Sequence, residues 1–142
     1  MAGGQAIDIA ASDREISLEH LEAMHALKTG ALIQAAVQMG AHVAGASSDQ
    51  REALDEFANA IGLAFQVQDD VLDVESDSST LGKPQGADAA RNKPTYVSLL
   101  GTDGAKAKVT ELLNDALAAL QPFGESANLL GELAHYISER NH

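Results

Sequence analysis

The sequence contains no cysteine and no tryptophan. Without thiols there is no disulfide framework, no thiolate metal site and no cysteine nucleophile. A reducing, cytoplasmic home is compatible with that absence. Basic residues are also scarce: 9 Lys and Arg stand against 21 Asp and Glu, for a formal charge of −12. Nucleic-acid binding through phosphate neutralisation needs clustered bases, and so does attraction to anionic lipid; neither is expected. Aromatic residues make up only 4% and there are 3 prolines. The apolar set is dominated by Ala and Leu, which favours helix over sheet. No secretory leader is expected, because Met1 is followed by Ala2-Gly3-Gly4-Gln5 with neither a basic start nor an apolar core.

At 142 residues the chain has the length of one domain. The uncharged stretch Thr29 to Ser48 could pass for a membrane span. Gln34, Gln38 and His42 interrupt it at four-residue spacing, opposite Leu32, Ala36 and Val43. Such a polar stripe predicts a buried helix of a soluble bundle instead.

Apolar periodicity predicts a polar lead-in over Gln5–Ile16, then a helix from about Leu18 to Ala44. Ser47 and Gln50 form a capping-box pattern that opens a second helix, from about Gln50 to Val74. A long Ser-, Asp- and Gly-rich loop with Pro84 follows over Glu75–Asn92, and loops of that length are commonly functional or disordered. A short segment Thr95–Leu100, a helix over about Asp103–Leu120 with Lys106 and Lys108 exposed, and a last helix from a Ser126 cap to about Arg140 complete the chain. No repeat and no alternating strand pattern is visible.

The most informative residues lie in the second helix. Gln66, Asp69, Asp70 and Asp73 stand at i, i+3, i+4 and i+7, on one helical face. Three carboxylates so close repel each other unless a cation or protons occupy them. All-oxygen donors suit Mg²⁺, which also keeps waters and bridges to phosphates. The plainer reading is a solvated acidic face. Phe65, Val67, Val71 and Leu72 flank the stripe on both sides, which weighs against it. A calcium loop starting at Asp73 is excluded, since Ser78 stands where Gly is needed and Pro84 where a bidentate Glu is needed.

Lys28 has Met24 and His25 a turn behind it and Ala31 and Leu32 a turn ahead. An ammonium there can grip a diphosphate, or merely snorkel over apolar surface. The long loop holds Gly82-Lys83 and Asn92-Lys93, two of the five lysines in the chain. Cations there can hold the charge of a phosphate leaving group, or simply solubilise the loop. Gly82-Lys83-Pro84 is not a Walker loop. The five histidines are scattered without ligand spacing, and there is no nucleophile elbow.

Taken in order, Gly4-Gln5-x-x-Asp8, Lys28-Thr29, Phe65-Gln66-x-x-Asp69-Asp70-x-x-Asp73, Gly82-Lys83 and Asn92-Lys93 resemble the second half of trans-polyprenyl diphosphate synthases, nearest to bacterial short-chain enzymes of the farnesyl diphosphate synthase type. The resemblance implies an all-α helical bundle of the isoprenoid synthase type around a deep cleft. It implies head-to-tail coupling of isopentenyl diphosphate to an allylic diphosphate, in isoprenoid biosynthesis. It implies Mg²⁺ held by Asp69, Asp70 and Asp73, with Asp69 the direct ligand. Diphosphate would be bound by Lys28, Lys83, Lys93 and Gln5. Lys28, Thr29 and Gln66 would be catalytic, with Thr29 and Gln66 turning oxygens toward the developing cation.

The family also has a first aspartate-rich motif, and no second Asp-Asp cluster precedes Asp69 here. The expectation is therefore that residues 1–142 are the C-terminal part of one synthase domain, about half the bundle. Such a half is expected to turn over little alone and to self-associate as a homo-oligomer, a dimer, over its exposed cleft face. Two other readings share parts of the pattern. A class I terpene cyclase uses the same metal logic, but its cavity needs aromatic faces, which are few here. A non-catalytic acidic helical module that binds a partner would leave the Asp stripe solvated.

Overall fold

The computed structural model describes residues 2–11, 16–75 and 94–140. All of its regular structure is helical: α1 Ala2–Ala11, α2 Leu18–His25, a π-helical turn Ala26–Gly30, α3 Ala31–Val43, α4 Ser48–Glu75, α5 Tyr96–Ala119, a 3₁₀ segment Gln121–Ala127 and α6 Asn128–Glu139. Among the described residues there is no strand. None of their helices is long and apolar enough to cross a membrane.

The longest helix, α4, is the axis of the fold. Phe57, Ala58, Ile61, Ala64, Val67 and Val71 recur along it at helical spacing and are all buried. Phe57, Ile61, Ala64, Val67 and Val71 meet Leu21 and Met24 of α2 and Tyr96, Ala105, Val109, Leu112 and Ala116 of α5 in one core. Burial of each large side chain stabilises the fold by about 1.5–3 kcal/mol. The Ser47–Gln50 capping box forms as the sequence predicts. Ser47 N–H donates to Gln50 Oε1 at 2.9 Å and Gln50 N–H to Ser47 Oγ at 3.3 Å.

Several boundaries differ from the sequence expectation. The lead-in is helical as far as Ala11, because α1 docks on the π-helical turn. A Cβ at Gly4 would overlap the backbone of Lys28, so only glycine permits that approach. The helix expected over Leu18–Ala44 is interrupted by one π turn at the Lys28-Thr29 pair. Thr95–Leu100 and Asp103–Leu120 merge into α5 with a kink at Gly101, whose φ of 73° suits glycine. Thr95, with Ser98, caps that helix. Ser126 does not cap α6. Its hydroxyl donates to Phe123 O inside the 3₁₀ segment. Lys108 is half-buried rather than exposed and pairs with Glu111 at 2.9 Å.

The helix after the π turn is not buried as expected. Of α3 only Ala41 is buried, while Leu32, Met39 and Val43 are 60%, 64% and 88% exposed. Its polar stripe faces inward instead. Gln34 and Gln38 donate to Asp55 Oδ1 of α4 at 2.7 and 3.0 Å. Two amides satisfying one carboxylate fix the rotation of α3, and its apolar side is left outward.

Candidate functional site

The π turn and α4 build the site together. A π turn inserts an extra residue into the helix, and such turns recur at functional positions. Here it carries Lys28 and Thr29 to the flank of α4 that bears Gln66. Thr29 Oγ1 donates to Gln66 Oε1 at 3.0 Å. His25 Nδ1 lies 3.0 Å from the same oxygen. That oxygen only accepts, so the network assigns the proton of His25 to Nδ1. Burial holds the His25 imidazole down, to about 4, so the ring is neutral near pH 7. The Lys28 ammonium pushes the same way, and the bond to Gln66 opposes both. His25 stacks on Tyr96, with centroids 5.8 Å apart.

Lys28 Nζ donates to Asp8 Oδ2 of α1 at 2.7 Å. The Asp8 side chain is 7% exposed and that of Lys28 30%, so the ammonium is still reachable from outside. The carboxylate stripe does not present three equivalent groups. Asp70 is buried, and its Oδ2 accepts the first N–H of α5, from Tyr96, at 2.7 Å. Asp69 is 61% exposed and pairs through Oδ1 with Arg140 Nη2 at 3.1 Å. Asp73 lies a turn further along α4, half-buried.

A polar cavity of about 220 Å³ is lined by Asp8, His25, Lys28, Thr29, Gln66, Asp69 and Asp70, with Met24, Pro94 and Thr95 completing the wall. Of the residues singled out in the sequence, Lys28, Thr29, Gln66, Asp69 and Asp70 meet there. Gln5 is exposed on α1 and Asp73 half-buried on α4, both outside that lining. Lys83 and Lys93 lie outside the described residues, as do Gly82 and Asn92. The sequence did not single out His25, Tyr96 or Arg140 for the site. A lone histidine near a lysine carries no spacing signal, and Arg140 is 71 positions from Asp69. A larger cavity, about 600 Å³, opens between α3, α4 and Phe123. It has no charged lining residue and offers no comparable chemistry.

Among the described residues no three acidic or imidazole groups form a metal cage. The donors fit Mg²⁺ in another way. This ion commonly takes one or two carboxylates and fills its octahedron with water and substrate phosphate. Asp69 could supply such a carboxylate at the cavity, and Lys28 of the same lining could take the phosphate.

The polyprenyl synthetase family model matches residues 1–129. The chain belongs to that family. The farnesyl diphosphate synthase of Escherichia coli is 48% identical over 145 residues, covering 99% of this chain and 48% of that protein. Among solved structures, an FPP/GFPP synthase from Zymomonas mobilis superposes with a TM-score of 0.80 at 37% identity, over 96% of this chain and 45% of that one. A geranyltransferase from Helicobacter pylori, complexed with magnesium and isoprenyl diphosphate, superposes at 0.77 with 32% identity, over 98% and 46%. This polyprenyl synthetase chain spans about half the length of the curated relatives it matches. The all-α bundle expected of the family is the fold observed, over that half.

Proposed function

We propose that residues 1–142 are the C-terminal part of a trans-prenyltransferase domain, working on isopentenyl diphosphate and an allylic diphosphate with Mg²⁺. The observation that carries this reading is the meeting of Lys28, Thr29, Gln66, Asp69 and Asp70 around one small cavity. The order of those residues along a chain of this family, and the names of its relatives, support it.

In such a coupling the allylic C–O bond breaks and its electron pair leaves on diphosphate. The alkene of isopentenyl diphosphate then bonds to the allylic carbon, and the resulting cation gives a proton to the released diphosphate and becomes an alkene. Bound Mg²⁺ supplies charge neutralisation of the leaving diphosphate. Asp69 is the ligand that faces the cavity. Asp70 and Asp73 complete the acidic stripe, and Asp70 also holds the N-terminus of α5 in place. Lys28 exchanges Asp8 for a phosphate oxygen. Lys83, Lys93 and Gln5 belong to the same diphosphate-binding set. Thr29 and Gln66 place neutral oxygens near the carbon that gains positive charge, which offsets that charge without trapping it.

Thermal unfolding with Mg²⁺ and inorganic diphosphate tests the site. Stabilisation is expected only when both are present, on the order of 10 °C at a hundredfold excess over Kd. Asp69→Asn and Lys28→Ala should each remove most of it. Equal shifts in those variants, or no shift in the wild type, overturn the reading. The chain alone, given both prenyl diphosphates and Mg²⁺, is expected to form little product. Robust turnover would overturn the half-domain reading. The exposed Leu32, Met39 and Val43 support self-association, as a dimer. Size-exclusion chromatography showing a clean monomer with low apolar-dye binding would count against that.

A further inference from the structure

We propose that Arg140 is a positioning residue for the metal site, holding one oxygen of Asp69 so that the other is turned to the cavity. The inference rests on the reading of Asp69 as the cavity-facing metal ligand. Three observations carry it. First, Arg140 is itself immobilised against the turn of α4 that bears Asp69. Its Nη2 donates to Phe65 O at 3.3 Å. Its guanidinium carbon lies 4.2 Å from the centre of the Phe65 ring. Its main-chain oxygen accepts from Gln68 Nε2 at 2.9 Å. Phe65, Gln68 and Asp69 are i, i+3 and i+4, so one residue clasps one face of one turn. Its side chain is only 15% exposed although it lies at the end of the described chain.

Second, the contact is one-sided. Arg140 Nη2 meets Oδ1 of Asp69, and among the described residues no donor reaches Oδ2. Asp69 lines the polar cavity and Arg140 does not. The guanidinium is therefore bound to a cavity carboxylate without being part of the cavity wall. Third, an exposed aspartate on a helix is otherwise free to change χ1 and χ2. Fixing one oxygen removes that freedom before any metal arrives. Ligating carboxylates are generally held by such outer hydrogen bonds, and loss of the partner typically lowers metal affinity 10–100-fold.

A competing arrangement predicts the opposite sign. If Arg140 were a plug occupying the metal's place, removing its charge would tighten metal binding.

Mn²⁺ binding in the presence of inorganic diphosphate, followed by electron paramagnetic resonance on the full chain, separates the two. Arg140→Gln is expected to weaken Mn²⁺ about tenfold. Arg140→Lys, which keeps the charge and one donated bond, is expected to recover part of that loss. In an Asp69→Asn background, Arg140→Gln should cause no further loss. Circular dichroism and melting temperature without metal report on folding. Should Arg140→Gln fail to fold, Arg140→Lys against wild type carries the same test, with a severalfold loss expected. Affinity that is unchanged or tighter in the Arg140 variants overturns the inference. So does a loss of equal size in the Asp69→Asn background. A wild-type chain that binds no Mn²⁺ instead overturns the metal reading of the site, and this inference falls with it.

Discussion

Lys28 Nζ lies 2.7 Å from Asp8 Oδ2, and this pair ties α1 to the π-helical turn. The carboxylate is nearly buried and the ammonium partly open, so the pair is asymmetric toward solvent. On the proposed reading, a phosphate entering the cavity would compete with Asp8 for Lys28. Asp8→Asn should therefore act in two directions. Stability falls by about 1–3 kcal/mol, read by urea denaturation. Inorganic diphosphate binds severalfold tighter, read by isothermal titration calorimetry. Weaker diphosphate binding in this variant would place Asp8 among the ligand's supports instead.

His25 sets a pH dependence. Its folded-state value, about 4, is below the unfolded value of 6.5. Between those values the unfolded chain binds more protons, so stability falls as pH falls. The contribution is fully present above about pH 6.5 and is lost as pH drops toward 4. It amounts to about 3 kcal/mol at most. Urea melts of wild type and His25→Asn from pH 8 to pH 4.5 check it. The wild type should lose more stability than the variant over that range. Parallel curves would mean that His25 takes up its proton without cost in the folded state.

Gly4 decides whether α1 stays docked. Gly4→Ala drives a methyl into the backbone of Lys28, which cannot rotate aside. A loss of roughly 1–3 kcal/mol is expected. Hydrogen exchange locates it: amides of α1 should exchange faster while those of α4 stay protected. Unchanged protection in α1 would show that the helix shifts as a body without releasing.

Thr29→Val keeps the shape of the side chain and removes one of two donors to Gln66 Oε1. His25 remains on that oxygen, so the expected loss is only about 1 kcal/mol. Thr29→Ser should restore it. Thermal melts of the three proteins check the order. A loss far beyond that size in the valine variant would mean that the hydroxyl holds the π turn itself in place.

Helical class, the apolar face of α4 and the polar stripe from Gln66 to Asp73 were determined by the sequence alone. Each rests on spacing within a single helix, and helical geometry converts such spacing directly into a shared face. The Ser47–Gln50 cap was legible for the same reason, since both partners lie within one turn. Only the tertiary structure decided which way α3 turns, because Asp55 of α4 must be present before Gln34 and Gln38 prefer to point inward. It alone made the three aspartates unequal: α5 claims Asp70 through the Tyr96 N–H, and Arg140 claims one oxygen of Asp69. It also made a helix of Gly3-Gly4-Gln5 by docking it on the π turn. These outcomes depend on partners 17 to 71 positions away in the chain, and a pattern read along one helix holds no information about a group that arrives from another.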